Sequence, residues 1–355
     1  MTYIQRRALV TSEGMGLELV ERTDLFDLEP DMMTCRVLAV ALNPGDAKSS
    51  DYTASRGSVA GFDFAGEVLQ VGSGVTRFKY GDRIAGFAFG YNPDNKLTGA
   101  FADIVLAVEG FALMLPPQWT FEEGATLGTS ICTIGFALTH YLGVSMPAGD
   151  ERVGHHSQGD HILISGGATA TGLVATQLLS LAGFQVVATC SPSSATLVKS
   201  FGAIATFDYR SAACGAEIRA FTADNLVRVL DCVSSAETMS MCYAAISSRG
   251  GHYVGLNPLS ARIKYTRRDI KAEWVMALAM FGLPVRLGGD FGRPATPSLR
   301  GLGTRIFCAA EDLLAEDRLK APRLQIRVGG LPAIREGLED MRKGRTDGVK
   351  LVYTV

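Results

Sequence analysis

The chain has 355 residues, 47% of them apolar and 20% charged. That is enough for two domains and a large core, which excludes general disorder and any dependence on disulfides for folding. Its 34 basic and 36 acidic residues leave a formal charge of -2, without the basic excess that phosphate-backbone binding needs, so nucleic acid is not an expected partner.

The opening MTYIQRRALV lacks the apolar core of a signal peptide. The most apolar stretch, Trp274 to Leu283, falls far short of the ~20 residues of a membrane span, so no membrane association is expected. Residues 1–125 then alternate short apolar runs with glycine, as in RVLAVALN, GEVLQVGSGV, GDRIAGFAFG and FADIVLAV. Short strands with frequent turn signals predict a β-rich, partly barrel-like domain. The segment 148-AGDERVGHHSQGDH-161 is polar and aperiodic, hence a connector, and the cluster of His155, His156 and His161 within it reads as solvated loop before metal site.

Between 160 and 256 the texture changes. HILISGG leads into the helical ATGLVATQLLSLAG, and FQVVATC, SATLVKSFGA, ATFDY, NLVRVLDCV and GGHYVGL follow in alternation. Apolar strands alternating with helices predict βαβ units on a parallel sheet covered on both faces. After 257 come a basic stretch, a helix, the Gly/Pro-rich LGGDFGRPATPSLRG, a helix near Ala309 to Asp317, and strands RLQIRV and VKLVYTV. The tail shares the texture of the first zone, so a nucleotide-binding unit is expected to be inserted into a β-rich catalytic domain. The predicted division is 1–135, 136–305 and 306–355. The seven cysteines are scattered, with no Cys-x-x-Cys, and predict reduced, mostly buried thiols in a cytoplasmic protein.

The strongest chemical signal is 161-HILISGGATATGLVATQLL-179. A buried strand running through glycines into a helix offers free N–H groups and a positive dipole end to a pyrophosphate. The G-x-G-x-x-G spacing aligns on Gly167, Ala168, Thr169, Ala170, Thr171 and Gly172, with threonine at the middle glycine position. About twenty residues on, an NAD-binding chain carries an acidic residue for the ribose 2′-OH. Here 190-CSPSSATLVKS-200 has none. Ser191, Pro192, Ser193 and Ser194 at a helix start, with Lys199 beyond and Tyr209 after the third strand, suit the 2′-phosphate of NADPH. N-capping is the competing account of the serines.

A β-rich domain wrapped discontinuously around a dinucleotide domain resembles the medium-chain dehydrogenase/reductase superfamily over the whole chain. That resemblance implies a Rossmann-type doubly wound parallel sheet plus a GroES-like β-rich domain, an α/β protein. Where zinc-dependent members carry a cysteine and a Gly-His-Glu motif, this chain reads 41-ALNPGDAKSSDY-52 and 61-GFDFAGEV-68, with Phe62 and Asp63 in place of His-Glu. The structural-zinc cysteine loop is missing as well, so no metal is expected. Without a Lewis acid, reduction of an activated C=C fits better than alcohol–ketone interconversion, because hydrogen-bond donors can stabilise the developing carbonyl oxyanion.

The run Asn43-Pro44-Gly45-Asp46-Ala47-Lys48 resembles the N-P-x-D-x-K element of zinc-free quinone and enoyl reductases. GGATATG, ATCSPSSATLVKSFGA, FDYR and the closing segment from FCAAEDLLAEDRLK to VKLVYTV resemble fungal trans-acting enoyl reductases, stand-alone partners of polyketide synthases. That resemblance implies that Pro44, Gly45, Asp46 and Ala47 meet the nicotinamide side of the cofactor. It places Lys48 near the substrate carbonyl or cofactor, and Thr133 beside nicotinamide and substrate. The run Ile134, Gly135, Phe136, Ala137, Leu138, Thr139 and His140 would line the substrate pocket. Leu256 would pass the nicotinamide and Thr346 would close on the cofactor from the tail. A surface cation is the plain alternative for Lys48, and a helix threonine bonding backward to a carbonyl is that for Thr133.

The implied partner is the acyl carrier domain of a polyketide or hybrid synthase, met transiently by a monomer. The cationic run 262-RIKYTRRDIK-271 is a candidate for steering that acidic domain, with a solvated helix start as the stronger alternative. Two other readings compete: a reductase of free quinones or enones, and an NADPH-binding auxiliary protein without turnover. The proton donor to the α-carbon stays open among Lys48, Tyr52, a cofactor hydroxyl and water.

Overall fold

The computed structural model describes residues 2–12, 16–52, 56–147, 159–346 and 348–355. They form two compact units, Met1–Cys132 with Leu278–Val355, and Thr133–Ala277. The first unit opens with β1 (Thr2–Thr11) and β2 (Leu17–Phe26), an antiparallel hairpin. Then come β3 (Met32–Ala41), α1 (Pro44–Tyr52), β4 (Asp63–Val71), β5 (Arg83–Phe87), β6 (Ile104–Val108), β7 (Ala112–Met114), α2 (Phe121–Gly124) and α3 (Gly128–Phe136). The sequence MMTCRVLAVA of β3 is almost wholly buried, as expected of a central strand covered on both faces.

The second unit contains β8 (His161–Ser165), α4 (Ala170–Leu181), β9 (Gln185–Cys190), α5 (Ala195–Ser200), β10 (Ala205–Asp208), α6 (Cys214–Phe221), β11 (Arg228–Asp231), α7 (Ala236–Ala245), β12 (Gly251–Gly255), α8 (Ala261–Lys264) and β13 (Ile270–Trp274). Its six strands run in parallel in the order β10-β9-β8-β11-β12-β13. The order reverses direction between β8 and β11, and the carboxyl ends of strands flanking such a switch form the ligand crevice of doubly wound sheets. Beneath it lies a core that includes Leu163, Val187, Val229, Cys242 and Tyr253.

The chain rejoins the first unit through α9 (Ser298–Ala315), β14 (Leu324–Arg327), α10 (Gly330–Arg342) and β15 (Lys350–Thr354). The completed seven-stranded sheet has the order β14-β15-β3-β4-β5-β7, with β6 beside β3.

Three boundaries differ from the sequence reading. The chain re-enters the first unit at Leu278, well before 306, because Phe281 stacks its buried ring against Phe87, Phe89 and Phe111 at 5.4, 5.2 and 4.3 Å. The stretch IKAEW, unread as a strand, pairs in parallel with β12 as β13. Helix α9 starts inside the Gly/Pro-rich passage. Within α9, a Cβ at Gly303 would meet the Phe111 ring at 2.5 Å, so glycine lets the helix close on that ring. Among the described residues no helix is long and apolar enough to cross a membrane. His155 and His156 lie outside the described residues.

Candidate active site

In the second unit β8 ends at Ser165, and Gly166 turns the chain at φ +79°, a conformation that favours glycine. Gly167 and Gly172 are held close for steric reasons. A Cβ on Gly167 would meet Ala188 Cβ at 2.8 Å, and one on Gly172 would meet the Gly166 carbonyl oxygen at 2.2 Å. Helix α4 therefore starts flush against the end of its strand. Thr169 is the N-cap: its hydroxyl donates to the Gly166 carbonyl at 2.8 Å and accepts from the Gly172 N–H at 3.0 Å. The threonine at the middle glycine position thus builds the turn with its hydroxyl. The N–H groups of Ala170 and Thr171, at the first helical positions, have no intrahelical acceptor. Together with the adjacent half-buried Ala168 they fit a pyrophosphate group.

At the end of β9, Ser191 Oγ lies 3.0 Å from both Ser193 Oγ and Ser194 Oγ. Neither Ser191 nor Ser194 caps its helix through the side chain, so the capping account of these hydroxyls fails. Pro192 and Lys199 are exposed alongside. Tyr209, 49% exposed, follows β10, and the Arg210 guanidinium stands 5.4 Å from its ring centroid. Arg210 was passed over in the sequence although FDYR displays it. This edge presents hydroxyls and cations, with Asp208 at the end of β10 paired in register with Cys190, the last residue of β9.

Thr133 is buried in α3, and its hydroxyl makes no hydrogen bond to a described residue. Its neighbour Thr139 instead donates to the Gly135 carbonyl at 2.7 Å. Ile134, Gly135, Phe136, Ala137 and Leu138 are buried as well, and His140 is exposed. Residues Ala137–Leu142 form a π-helical turn, a distortion that concentrates at functional sites. Leu256, just beyond β12, donates its N–H to Ser234 Oγ at 2.7 Å.

In the first unit the N-P-x-D-x-K run forms the start of α1. Pro44 is exposed, Gly45 and Lys48 are half-buried, and Ala47 is buried. Burial lowers the Lys48 pKa. Asp46 points inward: its Oδ2 accepts from the Asn43 backbone N–H at 2.8 Å and from Asn43 Nδ2 at 3.3 Å. Its Oδ1 is buried without a hydrogen-bond partner among the described residues. Burial, reinforced by the charge of Asp63, pushes the Asp46 carboxyl up to about 8, which favours its protonated form at neutral pH. The nicotinamide contact expected of Asp46 does not involve an exposed carboxylate. Thr346 lies in the turn before β15 and accepts from the Val349 N–H at 2.9 Å.

Sequence reading missed what holds α1 in place. Asp63 is fully buried and accepts from four donors. Oδ1 takes the Thr129 N–H and hydroxyl at 2.5 and 2.7 Å; Oδ2 takes Asn43 Nδ2 and Lys350 Nζ, both at 2.9 Å. Lys350 also donates to Asn43 Oδ1. The only sequence signal was a lysine beginning the apolar run KLVYT. Phe62, the other residue of the replaced pair, lies 3.2 Å from where a Gly45 Cβ would stand. These residues do not fit a catalytic zinc. The Asp63 carboxylate is fully used with an ammonium beside it, and burial holds the Cys132 thiol well above its usual range. Among the described residues no three His, Cys, Asp or Glu side chains are grouped to take an ion.

The basic run proves mostly structural. Arg267 donates to the Tyr243, Ile246 and Ser247 carbonyls at the end of α7, and Lys271 pairs with Glu273. Arg262 and Arg268 remain as exposed cations without an ion pair among the described residues.

Residues 29–117 match the alcohol dehydrogenase GroES-like domain family and residues 170–270 the zinc-binding dehydrogenase family. A trans-enoyl reductase of Gibberella fujikuroi is 45% identical over 98% of this chain and 99% of its own length. The trans-enoyl reductase grgB of a Penicillium species is 43% identical, covering 98% of each. Among solved structures, the CurK enoyl reductase superposes with a TM-score of 0.77 over 99% of both chains at 20% identity, a likeness of fold.

Proposed function

Because the chain belongs to the trans-enoyl reductase family of the medium-chain dehydrogenase/reductases, oxidoreductases that act on C=C bonds, we propose that it is an NADPH-dependent enoyl reductase working in trans on a carrier-bound polyketide intermediate. The observation that carries the coenzyme choice is the Ser191 hydroxyl bonded to both Ser193 and Ser194, with neither Ser191 nor Ser194 capping a helix through its side chain and no acidic residue in the segment 190–200. A ribose 2′-phosphate accepts from such donors, with Lys199 and Arg210 supplying charge. When bound, the reduced nicotinamide supplies a hydride to the β-carbon of the conjugated alkene.

The residues of the chain bind and orient. Gly166 to Gly172 hold the pyrophosphate through the start of α4. The Thr133 hydroxyl, uncommitted within the described protein, is the candidate donor to the thioester oxygen as negative charge develops there. Lys48, with its pKa lowered by burial, is the candidate source of the proton for the α-carbon. Two names among the relatives, trans-enoyl reductase in each case, support the carrier-bound substrate over a free enone. The seven free thiols support a reducing, cytoplasmic setting, and the monomer carries over from the sequence resemblance. Steady-state oxidation of NADPH and NADH with an enoyl carrier-protein thioester, beside the free small-molecule enone, tests the proposal. NADPH is expected to be preferred by at least about tenfold, since charge-assisted hydrogen bonds of this kind are each worth about 1.5–3 kcal/mol, and the carrier thioester is expected to be turned over faster than the free enone. Equal rates with NADH, or with the free enone, would overturn the corresponding half.

A further inference from the structure

At the carboxyl end of β11, Asp231 is fully buried and collects four hydrogen bonds. Its Oδ1 accepts the Val233 and Ser234 N–H groups, both at 3.0 Å. Its Oδ2 accepts the Thr238 hydroxyl at 2.7 Å and the Tyr253 hydroxyl at 2.8 Å. The turn so fixed places Ser234 at φ +58°. That region is costly for a non-glycine residue unless its surroundings impose it. The Ser234 hydroxyl bridges there, donating to the Asp231 carbonyl at 2.7 Å and accepting the Leu256 N–H at 2.7 Å. Asn257 Nδ2 adds a bond to the Val233 carbonyl at 3.2 Å. On the other side Val233 presses on the glycine turn: a Cβ on Gly166 would meet Val233 Cγ2 at 2.7 Å.

The loops that leave β8, β11 and β12 are thus tied together at the switch of strand order, where a ligand crevice forms. A glycine would occupy φ +58° without strain, and the chain instead keeps a serine whose hydroxyl bridges two of these loops. We propose that Ser234, aligned by Asp231, is a positioning residue for the coenzyme. It sets the Leu256 peptide and the Val233 side chain as the wall against which the nicotinamide half is oriented. This rests on the reading of the chain as a dinucleotide-dependent reductase.

Ser234→Gly and Ser234→Ala separate this role from a structural one. Ser234→Gly relieves the backbone and is expected to keep or raise the unfolding temperature. Both variants lose the bridge to Leu256, and each is expected to weaken NADPH, titrated directly by the change in nicotinamide fluorescence, about tenfold, the size of one lost hydrogen bond. In turnover the KM for NADPH should rise by the same factor, with the KM for the enoyl thioester unchanged. NADPH affinity within twofold of the parent in both variants would overturn the proposal, as would losses that merely follow a fall in unfolding temperature. Failure of the parent itself to bind NADPH would instead overturn the coenzyme reading on which the proposal rests.

Discussion

Asp46 and Asp63 lie in one buried polar cluster with unequal sets of hydrogen-bond donors. Asp63 has an ammonium and three further hydrogen-bond donors, while among the described residues Asp46 is bonded by Asn43 alone. For a carboxyl raised from 3.8 to about 8 in the folded chain, stability is greatest where both folded and unfolded forms hold the proton. It declines as pH rises through the interval and is lost once the folded group ionises. Asp46→Asn is neutral throughout, so its unfolding temperature relative to the parent should climb between about pH 4 and pH 8 and level off above, as thermal melts across that range would reveal. A constant difference would mean that Asp46 is ionised in the folded protein. Lys350→Met leaves Asp63 buried without its counter-charge and should cost about 3–5 kcal/mol by denaturant unfolding. Part of that loss should return when Asp63→Asn is added.

The most legible element was the β8–α4 turn, since a buried strand, paired glycines and a helix start are all local signals. Its detail was not legible: which glycine takes positive φ, and whether Thr169 faces a phosphate or caps the helix, depend on how closely α4 approaches the strand. Gly172→Ala tests that approach. The added methyl would sit 2.2 Å from the Gly166 carbonyl oxygen, so α4 must shift and coenzyme binding should fall by more than tenfold, measured by direct titration. The clustering of Asn43, Asp63, Thr129 and Lys350 is invisible in the sequence for the opposite reason, even though Asn43 and Asp63 stand in recognisable motifs. They come from four separate segments, and each alone resembles an ordinary polar residue near a strand or helix end. Asp231, Thr238 and Tyr253 were hidden likewise, although the chain VLDCVSS displays the acid at the end of its strand.

For the molecule as a whole, the β-rich texture at both ends and the parallel sheet between them were readable from periodicity, and the insertion of one unit into the other followed. The point of return was not readable, because residues 278 to 297 carry little regular structure and owe their place to aromatic stacking. Phe281→Ala removes a buried ring that touches Phe87, Phe89 and Phe111. It should destabilise the first unit by about 3–5 kcal/mol and expose the 278–297 segment to limited proteolysis before the rest of the chain. Cleavage that begins elsewhere would show that other contacts hold this segment.

Strand β15 lies between β14 and β3 in its sheet, and its Lys350 neutralises Asp63. Translation therefore delivers that cation almost 290 residues after the anion it answers. The second unit, contiguous from Thr133 to Ala277, emerges whole from the ribosome and has its complete sheet available early. The unit begun first must wait for its closing strand, holding an uncompensated acid and an open sheet edge in the meantime. Until β15 has been made, that open edge is where chaperone capture and aggregation are expected to act.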